Sequence, residues 1–554
     1  MLNFKIILLC KKFRTEKLSL IAIGGKMNMQ NIPFTILAMT PVSPVSDVYN
    51  KSHLTSLDMF TLNEAMENID PRLFVPVPQE LCPEGALTIR LKSIKDFKPD
   101  SLIKNNEYLK NVYEAGSFIE QAVSDGLSAP TIAERLKADW PFLPFDIDAG
   151  TPHKPPVKQT GMVDNILNMV ATPDSPDSST TDTGRPHQWK ARIDSLLASL
   201  LESIFNNEDF RTCEAAWRGI ELLLKQGQVK EGEGVRLKIM PINPKNLESV
   251  LEKIIDELVT DLPNLVLIDL PFDSFPKSTD LLKKVAVFAD TMLVPTLCWI
   301  DARFFHLNNW SDLKKVSYLK HYLEDASYAK WRKLKELPGA DWLSFTCNRF
   351  LTRSPYGPNN KPGTVFFQEK DPLWISPIWA LGALTAQSIA TFGWPCRFTD
   401  YTSISLKDLA VIDSGNTLPS PTEMVLSEDR LMEFIEIGIT PLQGVAGKDM
   451  AFTPRETTLG GGSLKYQLFT SRILTFLWWY RDNVDEEKMS DDLCTSIKDA
   501  LRLFWQETGH SPPEDLEITA EETAECKPVN IRIGMTPPAS ILPGGQRLEM
   551  TFLW

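Results

Sequence analysis

Apolar residues in the first part of the chain are spaced as in a small unit of strands and helices. Phe34–Met39 is a nearly continuous apolar run, which is typical of a strand. Leu87–Lys92 alternates apolar with polar residues, as a strand does when one of its faces is in water. Helices are predicted over Leu57–Ile69 and Leu102–Gln121. We expect residues 27–121 to form this small α/β unit.

From Trp189 onward the pattern alternates helices with strands. The predicted helices are Ile193–Phe205, Cys213–Leu224 and Leu281–Phe288. The predicted strands are Val235–Ile239, Leu265–Leu270, Leu293–Ile300 and Leu343–Cys347. Strands separated by helices at this spacing are typical of an α/β protein with a largely parallel sheet. We therefore expect a larger mixed-sheet region over residues 189–554.

The end of the chain has a different pattern. Ser471–Tyr480 and Leu493–Trp505 are predicted helices rich in large apolar side chains, and Glu514–Cys526 is acidic. Two alternating strands close the chain over 530–554, with apolar positions at Ile531, Ile533, Met535, Leu548, Met550 and Phe552. A strand at a chain terminus can complete its own sheet, or it can pair with the free edge of a neighbouring copy. We expect exchange between copies, and pairing within the chain's own sheet is the alternative.

Residues 122–188 form a predicted linker between the two regions. Thr172–Pro186 is rich in Ser, Thr, Asp and Pro, which indicates a flexible tether. A short amphipathic helix is predicted within the linker over 162–170, with one apolar face made of Met162, Val163, Ile166, Leu167 and Val170. This helix either docks on its own chain or binds the groove of a partner protein.

Residues 1–26 are predicted to be a mis-assigned start. The sequence Gly-Gly-Lys at 24–26 is what a purine-rich ribosome-binding site would encode in frame, so we expect translation to begin at Met27 or Met29. Lysine and arginine residues split the apolar stretches of this segment, which argues against a signal peptide. The protein is therefore expected to stay in the cytoplasm.

Composition narrows the classes of function. A formal net charge of −14 and a pI of about 5.1 argue against binding nucleic acid through a general basic field. No apolar run approaches the roughly 20 residues of a membrane-spanning helix, so no membrane insertion is expected. The eight cysteines are scattered without a CxxC pair, and the six histidines are dispersed. These patterns predict buried, reduced thiols and no metal site.

Sequence motifs for enzymatic chemistry are missing. The chain has no GxxxxGK[ST] phosphate loop, no G-x-S-x-G elbow and no HExxH pair. Gly460–Gly462 is better explained as a hinge or loop than as a phosphate site. The strand that ends near Asp269 is followed by no glycine-rich cradle. We therefore predict no catalytic and no cofactor-binding residues, and an α/β enzyme of unknown type is the alternative from another class.

Several stretches match the motifs of one protein family. Phe210–Gly219 reads F-x-x-x-E-A-x-W-R-G, Tyr328–Arg332 reads Y-x-x-W-R, and Asn348–Gly357 reads P-R-x-L-x-R-x-P-Y-G with Asn348 in place of the proline. Two further pairs are Leu373-Trp374 with Gly393-Trp394, and Pro421–Glu423 with Gly438–Leu442, where Ile439 replaces a phenylalanine. In this order, over most of 189–554, they resemble the large sheath subunit TssC (VipB) of bacterial type VI secretion systems.

Two stretches of the first region point to the partner of that subunit. Leu73–Val77 follows a predicted helix, and Ile94–Pro99 belongs to an S-x-x-D-F-x-P turn. Both are similar to the small sheath subunit TssB (VipA). The resemblance implies that two subunits, separate chains in the family, are fused here through the linker. It also implies that the helix over 162–170 is the one recognised by the recycling unfoldase ClpV.

The resemblance implies a structural subunit, not an enzyme, that polymerises as a helical sheath around an inner tube and contracts to propel it. The two subunits of the family share an intertwined sheet, so sheets are expected to be completed between copies. The implied partners are further copies of the chain, an Hcp-like tube protein, the baseplate and a ClpV-like AAA+ unfoldase, and no cofactor is implied. A non-contracting baseplate or scaffold protein is the runner-up interpretation.

The motif residues implied to be structural are Trp217, Arg218, Trp331, Arg349, Arg353, Tyr356 and Gly357. We expect Trp217 in the core, Arg218 in a local pair, and Arg349 and Arg353 in pairs with carboxylates.

Overall fold

A computed structural model of the chain describes residues 4–5, 32–44, 54–147, 184–230, 234–413, 418–483, 493–522 and 529–553. The amphipathic helix predicted over 162–170 and the tether over 172–183 lie outside the described residues. The start predicted at Met27 or Met29 lies outside them as well.

The described strands and helices alternate along most of the chain. The strands are β1 (Phe4–Lys5), β2 (Phe34–Thr40), β3 (Thr55–Leu57), β4 (Arg72–Pro76), β5 (Ala86–Arg90), β6 (Val235–Pro241), β7 (Leu265–Phe272), β8 (Thr296–Ile300), β9 (Leu343–Cys347), β10 (Phe350–Leu351), β11 (Trp374–Ile375), β12 (Ile439–Pro441), β13 (Gln443–Gly444), β14 (Ala451–Phe452), β15 (Glu517–Glu522), β16 (Val529–Met535) and β17 (Leu548–Leu553). The α-helices are α1 (Leu62–Ile69), α2 (Pro99–Asn105), α3 (Glu107–Ser124), α4 (Ala129–Asp139), α5 (Gly184–Phe205), α6 (Glu208–Gln226), α7 (Leu247–Leu258), α8 (Pro276–Met292), α9 (Leu319–Tyr322), α10 (Ala329–Lys335), α11 (Pro377–Phe392), α12 (Glu428–Glu436), α13 (Leu464–Asn483) and α14 (Leu493–Glu507).

The central sheet has seven strands in the order β12-β9-β8-β7-β2-β6-β3. All neighbours run parallel except β3, which is antiparallel to β6. The strand β2 lies between β7 and β6, so that Ile36 is level with Leu237 on one side and with Leu265 on the other. The predicted α/β class is confirmed. The two predicted regions share one sheet, because the first region supplies a strand near its centre.

Alternate residues of β2 enter different hydrophobic cores. Phe34, Ile36 and Ala38 pack on the face covered by α5, α6 and α11, whereas Leu37 and Met39 pack on the face covered by α7 and α8. Successive side chains of a strand point to opposite faces of its sheet. A strand covered on both faces is mostly apolar, which explains why Phe34–Met39, with Thr35 as its one polar residue, lacks the alternation of a half-exposed strand.

Several boundaries differ from the sequence expectation, and three of these differences have a clear local cause. Leu57 belongs to a strand, and the helix begins only at Leu62, because the Asp58 carboxylate accepts the N–H groups of Phe60 and Thr61 in a turn. The helix predicted over Leu102–Gln121 is two helices, separated at Asn106, whose side chain caps the second helix by accepting the Leu109 N–H. The acidic segment after Glu514 contains the strand β15, which was not predicted because the segment is rich in charged residues.

A second sheet forms near the end of the chain. Its strands lie in the order β1-β17-β16-β15, and β16 is antiparallel to both β15 and β17. One face packs against α13 and α14, with Ile531, Ile533 and Met535 fully buried. The two strands predicted over 530–554 are therefore present, and a third strand, β15, lies beside them.

Candidate assembly interface

The junction between the two regions is held by polar groups as well as by the β2 ladder. The Thr40 hydroxyl at the end of β2 donates to Asp269 Oδ2 at 3.0 Å, and the Trp379 indole N–H donates to the same oxygen at 2.9 Å. Burial raises the pKa of Asp269, and its hydrogen bonds offset only part of that effect. One buried carboxyl therefore joins β2, β7 and α11.

Further hydrogen bonds tie the ends of β2 to the larger region. The Thr35 N–H donates to Asn264 Oδ1 at 2.8 Å, and the Asn264 side chain donates to Thr475 Oγ1 at 2.8 Å. The indole N–H of Trp217 donates to the Val42 carbonyl at 2.9 Å. Trp217 itself is completely buried. Its place is in the core, and its one polar atom joins the two regions.

Arg353 lies at the centre of a buried ionic cluster. Its guanidinium bonds both oxygens of Glu214 at 2.8 and 2.9 Å and both oxygens of Glu369 at 2.7 Å. The side chains of Glu214 and Glu369 are completely buried. Arg218 adds a bond to Glu214 at 2.6 Å. Burial alone would raise the pKa of Glu214, but Arg353 and Arg218 outweigh it and hold the pKa below its ordinary value.

The cluster connects three separate parts of the large region. Glu214 is on α6, Arg353 follows β10, and Glu369 precedes β11. The Tyr356 N–H donates to Glu369 at 2.7 Å, and the Arg353 guanidinium lies 5.0 Å from the Tyr356 ring centroid. Gly357 exchanges backbone hydrogen bonds with Asn360. These contacts position a loop and do not leave a charged group free for chemistry.

The remaining motif residues also have structural surroundings. Arg349 makes a two-pronged ion pair with Glu423, at 2.9 and 2.7 Å. Trp331 on α10 is buried against Phe304 and Phe345, with ring centroids 4.7 and 4.9 Å apart. The motif residues are thus spread over several elements. Arg218, Arg353 and Tyr356 meet in the buried ionic cluster, whereas Arg349 pairs with Glu423 outside it.

Sequence reasoning did not identify the carboxylates that neutralise these arginines. Glu214 could have been found, because Arg218 follows it by four residues on one helix. Glu369 follows Arg353 by 16 residues and Glu423 follows Arg349 by 74, and nothing in the local pattern signals either pairing.

A cavity of about 760 Å³ opens at the carboxyl ends of the parallel strands, where ligands of α/β enzymes commonly bind. Its walls include Asp269, Asp301, Arg303 and Arg349. Each of these groups already has a partner, since Arg303 pairs with Asp301 at 2.7 Å and Arg349 pairs with Glu423. Glu208 and Asp209 also line this cavity. The alternative of an α/β enzyme therefore depends on a cavity in which four of the charged groups are engaged within the chain.

Three further features of the described residues concern metal ligands, thiols and membrane helices. No three His, Cys, Asp or Glu side chains in this part of the chain are grouped to hold a metal ion. The cysteines at 82, 213, 298, 347 and 396 are buried free thiols, and Cys494 is half-buried. Within the same residues, no helix has both the length and the apolar composition needed to cross a bilayer.

The terminal sheet offers backbone edges to another strand. Within the described residues β16, which carries Ile531, Ile533 and Met535, pairs with β15 on one side and with β17 on the other. In the part of the chain that the structure describes, the outer edge of β17 is paired only at Met550 and Thr551, with the two-residue strand β1. The Phe552 backbone pairs with that of Ile531, and Leu548 with Met535, on the inner side. The outer edges of β17 and β15 are therefore the parts of this sheet that a neighbour could extend.

Two protein-family models match the chain. The first, VipB (EvpB/VC_A0108, tail sheath N-terminal domain), matches residues 187–262 and 262–458. The second, the type VI secretion system family described as VipA, VC_A0107 or Hcp2, matches residues 17–136. The matches follow one another along the chain in the order expected for a fusion of the small and large sheath subunits.

Individual relatives give a more distant likeness. The chain is 23% identical over 293 residues to the type VI secretion system sheath protein TssC1 of Pseudomonas aeruginosa, a match that covers 47% of this chain and 58% of the relative. Among solved structures, a chain of the anti-feeding prophage baseplate is 12% identical, with a TM-score of 0.33, over 59% of this chain and 79% of its own length. The sheath tail protein Lin1278 of Listeria innocua is 9% identical, with a TM-score of 0.30, over 58% and 61%.

The family assignment depends on the two family models, which together match more than half of the residues. They fall on the two regions that the shared sheet interlocks, with β2 in the VipA match and β6 to β9 in the VipB matches. The chain therefore belongs to the sheath-protein families of the type VI secretion system and joins a VipA-like and a VipB-like region in one polypeptide.

Proposed function

We propose that this protein is a structural subunit of a contractile type VI secretion sheath, which polymerises around an inner tube and contracts to propel it. The observation that carries the proposal is the terminal sheet, whose outer edges on β15 and β17 are largely unpaired within the described residues. Unpaired backbone donors and acceptors at an edge are satisfied by an added strand. A head-to-tail contact that does not close into a ring produces a helix of subunits.

Contraction in this proposal is a change in packing between rigid bodies. The interlocked seven-stranded sheet and the buried Arg353 cluster keep each subunit rigid, while strands added at the terminal sheet keep neighbours connected. No group in this mechanism needs a bound nucleotide or a catalytic residue, and we propose that the chain is not an enzyme.

The partners follow from the same proposal. Copies of the chain form the sheath in the cytoplasm, an Hcp-like protein forms the tube inside it, and the baseplate anchors one end. The predicted helix over 162–170, with Met162, Val163, Ile166, Leu167 and Val170 on its apolar face, is proposed to bind a ClpV-like unfoldase. An amphipathic helix in a partner's groove is a common mode of peptide recognition.

Electron microscopy of the purified protein tests the proposal. We expect hollow tubules or helical fragments in two diameters, which correspond to the extended and contracted states. Polymers of a single diameter would favour the runner-up, a non-contracting baseplate or scaffold protein. A strictly monomeric species at high concentration, with and without tube protein, would refute polymerisation.

A shortened chain tests the role of the terminal edge. Removing all of 526–554 would expose the core beneath β16, because Ile531, Ile533 and Met535 are fully buried there. A chain that ends at Gly545 removes β17 alone, and a chain that ends at Leu553 is the matched control. We expect polymers from the control and none from the shorter chain, with similar circular-dichroism spectra. Polymers from both chains would show that β17 is not the exchanged edge.

A further inference from the structure

Arg472 on α13 is buried without an anionic partner. Only 6% of its surface is exposed, and it is the one arginine or lysine among the described residues that is buried to this degree. Its Nη1 atom has no hydrogen-bond partner, and no described carboxylate forms an ion pair with it. The nearest feature is the ring of Phe504, whose centroid lies 5.5 Å from the guanidinium carbon. Burial lowers the pKa of Arg472 to about 10, and no charge partner opposes that effect.

The other inward-facing arginines are neutralised. Arg353 has the carboxylates of Glu214 and Glu369, and Arg349 has that of Glu423. An isolated buried charge is unfavourable, and proteins ordinarily pair such charges. An unpaired guanidinium in a chain that pairs its other interior arginines indicates a partner from outside the described chain.

The position of Arg472 indicates where that partner comes from. Its neighbours Phe469 and Phe476, three residues before and four residues after it on α13, pack in the core beneath the terminal sheet. Phe476 stacks on Phe504 of α14 at 4.4 Å between centroids. Arg472 therefore belongs to the layer that supports the sheet whose outer edges another copy could extend.

The charge of the chain indicates the chemistry of the partner. A guanidinium binds a carboxylate through two parallel hydrogen bonds. The chain carries a formal net charge of −14, so another copy offers an excess of carboxylates, including those of β15 (Glu517–Glu522) in the terminal sheet. In a homopolymer, a carboxylate of the adjoining copy is thus the anion at the highest local concentration.

We propose that Arg472 is the receptor for a carboxylate supplied by a second copy of this chain, and that this ion pair is completed only on assembly. The proposal rests on the sheath function above. Arg472 then acts as a positioning residue for the contact between copies. A buried pair formed across an interface favours the assembled state more than the free subunit, because the free subunit retains the unpaired charge.

Three single substitutions in the full chain test the receptor. Arg472→Met removes the charge and keeps the length of the side chain, Arg472→Lys keeps the charge, and Arg502→Met on α14 is a control in which an exposed arginine is lost. The unfolding midpoint is measured below the concentration at which polymers form. The critical concentration for polymer formation is measured by sedimentation.

For Arg472→Met we expect an unfolding midpoint equal to or above that of the natural chain and a critical concentration at least tenfold higher. Arg472→Lys should lie between, and Arg502→Met should match the natural chain in both measurements. The proposal would be overturned if Arg472→Met had the same critical concentration as the natural chain. It would also be overturned by a clear drop in the unfolding midpoint of Arg472→Met, because that drop would mean that the guanidinium already has its partner within its own chain. Absence of polymer from the natural chain would instead refute the sheath function itself.

Discussion

Gly219 in the W-R-G motif gives the sharpest test of the packing. It lies on α6 against Trp379, and a Cβ atom at this position would be 2.3 Å from Cδ1 and 2.5 Å from Cγ and Nε1 of the indole. Carbon atoms in ordinary contact are about 3.5–4.0 Å apart. The Gly219→Ala substitution must therefore displace either the indole or the helix by about 1 Å.

The size of the effect follows from three contributions. Overpacking of a filled core costs about 1–3 kcal/mol. Movement of Trp379 weakens its hydrogen bond to the buried Asp269, which costs about 1–3 kcal/mol when a buried polar group loses its partner. Alanine improves helix propensity by about 1 kcal/mol. We expect a net loss of about 1–5 kcal/mol in the free energy of unfolding.

Chemical denaturation followed by tryptophan fluorescence measures this loss. Gly184→Ala is the control, because no atom lies within 4 Å of a Cβ built there, and it should change stability by less than about 0.5 kcal/mol. Adding Trp379→Phe to Gly219→Ala relieves part of the overlap, so the double variant should lose less than the sum of the two single losses. A Gly219→Ala chain as stable as the natural one would refute the close contact between α6 and α11.

Two further predictions concern buried charges, each measured by chemical denaturation. Arg353→Met leaves Glu369 buried without the guanidinium of Arg353 and should lower the free energy of unfolding by about 3–5 kcal/mol. The control Arg303→Met, on the surface, should change it by less than about 1 kcal/mol. Equal losses of stability in the two variants would contradict the buried cluster. The pKa of Asp269 is higher in the folded state than its unfolded value of about 3.9. Its contribution to the free energy of unfolding is therefore largest below about pH 3.9, and it declines as the pH rises toward the folded-state pKa. Asp269→Asn keeps an oxygen for both donors, because Thr40 and Trp379 bond the same atom. We expect the stability of this variant, relative to that of the natural chain, to increase as the pH rises above about 4. Parallel pH profiles for the two chains would contradict a raised pKa.

Local periodicity predicted many of the described elements closely. The strand expected over Leu265–Leu270 is β7 (Leu265–Phe272), and the helix expected over Ile193–Phe205 ends at the predicted residue. The errors occurred where a polar side chain overrode the pattern, as Asp58 and Asn106 do through hydrogen bonds to nearby N–H groups. The strand β15 was missed because glutamates at an exposed sheet edge do not produce an apolar alternation.

The sequence by itself determined the α/β class, the burial of Trp217 and the order of the motifs, since these depend on residues close together in the chain. Only the tertiary structure decided that β2 lies between β7 and β6, that Glu369 neutralises Arg353, and that Arg472 has no carboxylate partner among the described residues. The physical reason is that periodicity reports which face of an element is covered. Which distant element covers that face depends on the packing of the whole chain. Strands of similar hydrophobicity have the same sequence pattern, but they differ in side-chain shape and in the hydrogen bonds that they can make with a neighbour.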